Sequence, residues 1–201
     1  IGFANDYTGL RETWTNANMP SDATFAGHFD GAGHTISGFQ CTAANAAGNG
    51  LFVVNSGTID GLNIQGTIGN PSYGCGGIAY QNSGTIQNCS FSGSITISSR
   101  EGSCGGIAAY NYGTILNCCS NVYYNYNGSD MSELLQGGIA AVNWMNGKGV
   151  GIIKNCYAVT TGAVNSMAGG IVAQNTNPDP DKPASGTISN CFYLYEKNLK
   201  G

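Results

Sequence analysis

Charged side chains are scarce in this 201-residue chain, in which only 9% of residues are Asp, Glu, Lys or Arg and the formal net charge is -4. Nucleic-acid binding needs clustered Lys and Arg for the phosphates, and the seven such residues here are scattered. No apolar run approaches the length of a membrane span. We therefore expect no nucleic-acid partner and no membrane insertion in this segment.

The chain is not rich in the Leu, Ala, Glu and Lys that a helical domain would need. It is rich instead in Gly, with 32 residues, and in Asn, Ser, Thr, Ile and Tyr. This composition favours strands and tight turns. No signal peptide is visible, and because the chain opens on Ile1-Gly2 we expect a targeting signal upstream.

The eight cysteines contain no CxxC pair, so the sequence predicts no zinc site. Four of them follow an Asn at one phase of a repeat, and two others directly precede a Gly-Gly pair. Recurrence at one phase is typical of a stacked column of small buried residues, because free cysteine is often buried. We favour buried free thiols over disulfides, and the four after Asn are Cys89, Cys118, Cys156 and Cys191.

One phrase recurs along the chain, as "GGIAYQNSGTIQNCS" from residue 76 and "GGIAAYNYGTILNCCSN" from residue 105. Gly-Gly pairs begin at residues 76, 105, 137 and 169, so the period is 29 to 32 residues. An isoleucine recurs with it, at Ile36, Ile59, Ile86, Ile115, Ile153 and Ile188. A drifting period of this length is the signature of a solenoid whose insertions fall in loops.

Each repeat reads as three short strands separated by corners. "GGIAAYN" is an apolar strand whose glycines allow close backbone approach, and "NSG" or "NYG" supplies corner residues. "TIQNCSF" alternates apolar and polar residues, and residues 93–97 form a third strand. Such short strands must pair with the next coil, which predicts a right-handed parallel β-helix of about six coils. Stacked asparagines then hydrogen-bond along the axis.

These repeats resemble the GLUG-motif repeat, whose typical form is close to "GGLVGYNSGTISNCYATGSV". Residues 27–39, "GHFDGAGHTISGF", look like the segment that often opens such arrays. The resemblance covers about residues 25 to 193. It implies a β-solenoid and an extracellular or bacterial cell-surface location, because such repeats occur in large secreted or surface-anchored bacterial proteins, including stalk regions of immunoglobulin A proteases. It implies no catalytic residues.

The repeat divides the chain into three parts. Residues 1–26 lack it and are expected to form a capping or first-coil segment, residues 27–193 form the β-helix, and residues 194–201 form a tail. Residues 144–151 and 176–186 both follow the first strand of a coil, so these insertions should lie side by side. "DMSELLQ" at 130–136 fits a helical capping box, which predicts a short helical turn.

Catalytic and metal-binding patterns are weak. A polysaccharide lyase or hydrolase needs converging carboxylates or basic groups, and no phase of the repeat collects two acids. Asp30 with His28 and His34 is the best local cluster, but "FDGAGH" is more simply a turn. Asp179 and Asp181 could offer oxygen ligands to calcium, yet their segment lacks the glycine and distal glutamate of a dedicated loop. We predict no catalytic residue, no metal and no cofactor.

Aromatic residues are the remaining functional signal. After the ladder asparagine, two successive coils carry Tyr112 and Trp144 where earlier coils carry serine. Residues 120–136, which we interpret as an insertion between these coils, hold Tyr123, Tyr124 and Tyr126. These rings either pack beneath a loop or form an exposed patch that binds a sugar or a protein partner. We predict a non-enzymatic structural or adhesive module with a glycan or a host surface protein as partner; a carbohydrate-binding module is the alternative, and an enzyme is third.

Overall fold

The protein is a parallel β-solenoid of about five turns. The computed structural model describes residues 23–41, 48–69, 73–146, 149–176 and 185–196, and every regular element in these ranges is a strand. In chain order the strands are β1 (Thr24–Phe25), β2 (His28–Asp30), β3 (Thr35–Cys41), β4 (Phe52–Asn55), β5 (Thr58–Asp60), β6 (Asn63–Gly69), β7 (Gly74–Gly76), β8 (Ala79–Asn82), β9 (Thr85–Gln87), β10 (Ser90–Ile97), β11 (Glu101–Gly105), β12 (Ala108–Asn111), β13 (Thr114–Leu116), β14 (Cys119–Tyr126), β15 (Glu133–Gly137), β16 (Ala140–Asn143), β17 (Met145–Asn146), β18 (Gly149–Val150), β19 (Ile152–Lys154), β20 (Tyr157–Gly162), β21 (Val172–Gln174), β22 (Thr187–Ser189) and β23 (Phe192–Glu196).

Three six-stranded parallel sheets run along the solenoid. Sheet 1 has the order β1-β4-β8-β12-β16-β21, sheet 2 the order β2-β5-β9-β13-β19-β22, and sheet 3 the order β3-β6-β10-β14-β20-β23. A shorter sheet 4, β7-β11-β15, is formed by the residues that lead into the first three Gly-Gly pairs. Strands β17 and β18 form an antiparallel hairpin outside the ladders. Each coil contributes one strand to each long sheet, which confirms the β-helix that the period predicts.

Isoleucine columns fill the core. The predicted column Ile78, Ile107, Ile139 and Ile171 is buried, with at most 9% of any side chain exposed. In sheet 2, Ile59, Ile86, Ile115 and Ile153 stack in register and are fully buried. One assignment is wrong: Ile36 pairs with Ile64 in sheet 3, and Phe29 is the residue that stacks on Ile59.

The thiols lie where the repeat places them. Cys89, Cys118 and Cys156 are at most 2% exposed, Cys191 is partly buried, and all eight cysteines are free. Each of these four thiols hydrogen-bonds the carbonyl oxygen two residues before it, so each is held in the corner between sheets 2 and 3. Neighbouring side chains on parallel strands point the same way, which fits the torsion of a disulfide poorly.

The Gly-Gly pairs lie where atoms of the same coil and of the next coil pack too closely to leave room for a Cβ. A Cβ on Gly77 would lie 2.3 Å from the ring of Phe91, and a Cβ on Gly105 would lie 1.9 Å from the carbonyl oxygen of Ala108. Close approach, as expected, requires both glycines. The corner residue with a left-handed backbone conformation is not in "NSG". It is the Asn of each Asn-Cys pair, with φ of 53° at Asn88 and 52° at Asn117. This corner divides "TIQNCSF" into two strands of different sheets.

Two ladders of side-chain amides run along the solenoid. The inner ladder is buried over its first four residues and donates toward the C-terminal end, through Asn55, Asn82, Asn111, Asn143 and Asn175. The outer ladder is exposed and donates toward the N-terminal end, from Asn190 through Asn155, Asn117 and Asn88 to the carboxylate of Asp60. These bonds confirm that identical amides stack along the axis.

Two local predictions about residues 120–136 are wrong. The helical turn expected in "DMSELLQ" is absent: Glu133–Gly137 is a strand of sheet 4, and the Asp130 side chain accepts the Ser132 amide in a local turn. Residues 119–126 are not an insertion either, because they form β14 and pair over their length with β10. The alternating burial along β14 shows why: Val122 and Tyr124 are core residues of the coil.

The ladders reach slightly beyond residues 27–193. Strand β1 begins at Thr24 and pairs with β4, and β23 runs to Glu196. In the last described coil Ile188 is 38% exposed, although the isoleucines stacked on it in sheet 2 are buried. Residues 1–22 of the predicted capping segment lie outside the described ranges.

Candidate functional site

The predicted aromatic pair lies at the corner between sheets 1 and 2. Asn111 and Asn143 are in register, so Tyr112 and Trp144 leave the ladder at the same corner of successive coils. Both side chains are partly buried. The Trp144 side chain interacts with the Tyr112 hydroxyl.

Two further tyrosines extend this pair into a row. The Tyr110 ring stacks on the Tyr112 ring with centroids 6.2 Å apart, and the Tyr80 ring meets Tyr110 edge-on at 5.4 Å. We name Tyr80, Tyr110, Tyr112 and Trp144 the aromatic row. The sequence interpretation missed Tyr80 and Tyr110, although both precede the ladder asparagine in adjacent coils, in "IAYQN" and "IAAYN". Offset and edge-on contacts of this kind stabilise a fixed arrangement of rings.

The phenols of Tyr80 and Tyr112 are held in their neutral form. Burial, with a smaller effect of the neighbouring Tyr110 phenol, raises the pKa of Tyr112 to about 12, and the Trp144 interaction acts in the opposite direction. Burial and the neighbouring phenols also raise the pKa of Tyr80. Neutral phenols donate as well as accept hydrogen bonds, so the row offers both functions beside its ring faces at physiological pH.

Tyr124, predicted as a site residue, belongs to the core. Its side chain is fully buried, and its hydroxyl lies 3.0 Å from the carbonyl oxygens of both Cys104 and Gly137. Burial raises its pKa well above the ordinary value. Its place is set by strand alternation, because it stacks in register on Ile95. Tyr124 therefore cannot contact a ligand.

Tyr123 and Tyr126 do not join the row. Tyr123 is 47% exposed on the outer face of sheet 3, where its ring lies over Gly162. Tyr126 packs against the core, and its hydroxyl bonds the backbone of Asp130 and fixes the loop after β14. Within the described ranges, no ring contact links either residue to the aromatic row. The sequence interpretation grouped them with Tyr112 because it took β14 for a protruding insertion.

A surface groove adjoins the row at Tyr110. It has a volume of about 380 Å³ and lies along the outer side of sheet 4. Tyr110 belongs to both features, so a ligand on the row reaches the groove without leaving the surface. Its lining combines aromatic, charged and hydroxyl side chains, namely Tyr73, Ser99, Arg100, Glu101, Ser103, Tyr110, Glu133 and Leu135, with Gly102.

The charges of this groove are partly paired. Arg100 bonds the carboxylate of Glu133, and its Nε lies 3.5 Å from Oδ2 of Asp130. These carboxylates raise the pKa of Arg100. Glu101 and Glu133 are in register on β11 and β15. Their pairing corrects the expectation that no phase of the repeat collects two acids.

A second pair of acids, Asp30 and Asp60, is in register on β2 and β5. Both have structural partners: Asp30 accepts the Ala32 amide at 2.8 Å, which confirms the turn, and Asp60 accepts the side chains of Gln87 and Asn88 at 2.7 and 2.8 Å. The bonds from Asn88 and Gln87 lower the pKa of Asp60. This pair has the character of a structural site.

The described ends of the two long insertions meet beside the row. Trp144 forms an antiparallel bridge with Ser185, and the β17-β18 hairpin follows it directly. The predicted adjacency of the two insertions is tested at this bridge alone, because residues 147–148 and 177–184 lie outside the described ranges. Asp179 and Asp181, the candidate calcium ligands, lie outside the described residues. Elsewhere in the described ranges, no three His, Cys, Asp or Glu side chains converge to hold a metal ion.

No family model matches the chain, and no curated protein matches it. None of the described residues belongs to a helix long and apolar enough to cross a membrane.

Proposed function

We propose that the protein is a non-enzymatic structural and adhesive module of a bacterial cell-surface or secreted protein. The observation that carries this proposal is the unbroken stack of parallel ladders, in which both the core columns and two amide ladders run along the axis. A solenoid whose coils contact only their neighbours is a spacer whose length follows the number of coils. The resemblance to GLUG repeats supports the surface location.

The positions of the acids favour a role other than catalysis. A glycosidase needs one carboxyl group free to donate a proton and another free to attack or to activate water. In the two in-register pairs, Asp60 is held by Gln87 and Asn88, and Glu133 is bonded to Arg100. Each pair thus has one carboxylate committed to a structural contact, which supports the non-enzymatic proposal.

Turnover assays on the full chain test this proposal. We expect no release of reducing ends or unsaturated products from a panel of plant, bacterial and host polysaccharides. We also expect beads coated with the chain to adhere to host matrix proteins or to immobilised glycans. Product formation that disappears in Glu101→Gln and Glu133→Gln would contradict the non-enzymatic proposal and would place an active site in the groove.

Carbohydrate binding is the second candidate, and the aromatic row favours it. Ring faces pack against the apolar faces of sugars, and neutral phenols bond sugar hydroxyls. The row presents three contiguous tyrosine rings, with Trp144 at the Tyr112 hydroxyl, next to a groove that carries Ser99, Arg100 and Glu101. A glycan array probed with the wild type and with Tyr110→Ala tests it. Glycan signals that are lost in the variant support the candidate, and an array without signals contradicts it.

A further inference from the structure

A separate cavity of about 520 Å³ opens at the C-terminal end of the solenoid. Its described lining has no Asp, Glu, Lys, Arg or His. It consists of Gln136, Thr160, Val164, Asn165, Ala168, Gly169, Gly170, Tyr193 and Tyr195. The size lies within the range of small-ligand sites, and the lining contains no residue of the aromatic row.

The interior of the solenoid becomes polar where this cavity opens. In the sheet 3 column Gly93, Val122, Thr160 and Tyr195, the threonine and tyrosine occupy the last two coils. In sheet 4, Gln136 stacks on Cys104. Polar side chains in a core are costly unless they are hydrogen-bonded. These side chains give the cavity a polar lining.

Thr160 carries an unsatisfied hydroxyl at the cavity. Its side chain is 7% exposed, and its Oγ1 has no hydrogen-bond partner among the described residues. An unpaired buried hydroxyl is costly. Both side-chain polar atoms of Gln136, its neighbour in the lining, already have a partner: Nε2 bonds the Ala163 carbonyl at 2.9 Å and Oε1 accepts the Asn165 amide at 3.1 Å. Thr160 is thus the buried group left to bond a ligand.

The wall of the cavity is preorganised. The Asn165 side-chain nitrogen bonds the carbonyl oxygens of Met131 and Leu134, the latter at 2.8 Å, and its Oδ1 accepts the Met167 amide at 3.0 Å. The Ala168 amide closes the turn on the Asn165 carbonyl at 3.2 Å. A wall fixed before binding loses little entropy when a ligand enters.

Tyrosine rings form the opposite side. Tyr193 and Tyr195 are two residues apart on the same face of β23, in register with Ala158 and Thr160. They are 62% and 42% exposed, because no described strand stacks on the other side of β23. A Cβ on Gly170 would lie 2.2 Å from the ring of Tyr193, so this glycine admits the ring. The cavity therefore joins two accessible rings to a buried hydroxyl.

We propose that this cavity binds a neutral monosaccharide unit, with Tyr193 and Tyr195 against the sugar ring and the Thr160 hydroxyl bonded to a sugar hydroxyl. The uncharged lining argues against acidic sugars and amines. The site is distinct from the aromatic row and does not depend on the function proposed for the row.

Isothermal titration of the full chain with glucose, galactose, mannose and N-acetylglucosamine tests this proposal. We expect saturable binding of at least one of them. Thr160→Val keeps the shape and removes the hydroxyl, so it should weaken that binding about ten-fold while the fold is retained. Ala168→Leu, which narrows the cavity, should weaken it further. Tyr157→Phe, at an exposed ring outside the cavity lining, is the control and should leave it unchanged. Trp144→Ala reports whether the aromatic row takes part.

Three outcomes would overturn the proposal. The first is that none of the four sugars binds. The second is that binding survives both Thr160→Val and Ala168→Leu in folded protein, as judged by circular dichroism, or is lost only in Trp144→Ala. The third is that the chain associates end to end in light scattering and Thr160→Val changes that association instead of sugar binding.

Discussion

The side-chain nitrogen of Asn111 donates a hydrogen bond of 2.7 Å to Oδ1 of Asn143, one coil further along the solenoid. The same nitrogen contacts the carbonyl oxygens of Gly113 and Ile152, at 3.1 and 3.4 Å, and thereby ties the corner to two coils. Asn117, in the outer ladder, donates in the opposite direction to Asn88 at 3.1 Å and is exposed. The two ladders thus use one chemistry in two environments.

The isosteric change from Asn to Asp separates these environments. Asn111→Asp replaces a buried donor by an acceptor that faces Oδ1 of Asn143, so we expect a loss of at least about 3 kcal/mol in the free energy of unfolding at pH 7. Asn117→Asp loses the same bond in water and should cost less than about 1 kcal/mol. Urea unfolding measures both.

The loss in Asn111→Asp should depend on pH. Burial near amide oxygens raises the folded-state pKa of the new carboxyl above its unfolded value of about 4. The protein is then least impaired below pH 4, where the group is protonated in both states, and loses stability as the pH rises above 4. Equal losses for the two variants, or a loss in Asn111→Asp that does not change with pH, would contradict the role assigned to the inner ladder.

Tyr124→Phe tests the assignment of this tyrosine to the core. Without the hydroxyl that contacts the carbonyl oxygens of Cys104 and Gly137, we expect a loss of about 1–2 kcal/mol in the free energy of unfolding at pH 7. Tyr157→Phe, at an exposed ring, is the control and should cost little.

The same variant should alter the alkaline limb of stability. Because burial raises the pKa of Tyr124, its folded-state pKa lies above the unfolded value of about 10. The unfolded state then loses its proton first, so the stability due to this neutral phenol is complete below pH 10 and is lost as the pH rises further. Stability of Tyr124→Phe should fall less steeply above pH 10 than that of the wild type. Identical slopes would indicate an accessible phenol.

Thiol reactivity tests the cysteine columns. Cys119 is exposed, whereas Cys75, Cys104 and Cys118 are buried. Burial raises the pKa of Cys75, and the neighbouring thiols Cys156 and Cys89 together with burial raise that of Cys118. Burial also raises the pKa of Cys119, so its exposure, and not a low pKa, distinguishes it. Because only an accessible thiolate reacts, we expect one fast-reacting thiol in the native protein at pH 8, which Cys119→Ser removes. Denaturation without reductant should expose all eight cysteines. A smaller total would show that some are bridged.

The repeat period predicted the fold because each residue type has one structural reason. The Gly-Gly pairs allow close backbone packing, the asparagines form ladders, and isoleucines such as Ile107 fill the core columns. The error at Ile36 arose where the first gap, 23 residues, was the shortest. At this point the Thr-Ile pair lies on β3, a strand of sheet 3. Only the pairing of Ile36 with Ile64 distinguishes it from the Thr-Ile pairs of sheet 2.

The candidate site was harder to predict. Tyr112 and Trp144 were found because they share a phase with the ladder asparagines. Tyr124 was misplaced, since inward and outward tyrosines of a strand have the same sequence signature until the register fixes the face. The polar end cavity has no local signature at all: Thr160, Gln136 and Tyr195 come from different strands and meet only through the coil geometry.

A binding titration of the preferred glycan or matrix protein from the screens, with Trp144→Ala beside Tyr123→Ala, tests the central claim most directly. Both variants remove a partly accessible ring, but only Trp144 belongs to the aromatic row, whereas Tyr123 lies on sheet 3. We predict that Trp144→Ala abolishes binding with a small change in unfolding temperature and that Tyr123→Ala binds as the wild type does. Full binding by Trp144→Ala, or an equal loss in both variants, would contradict an adhesive module that binds through this row.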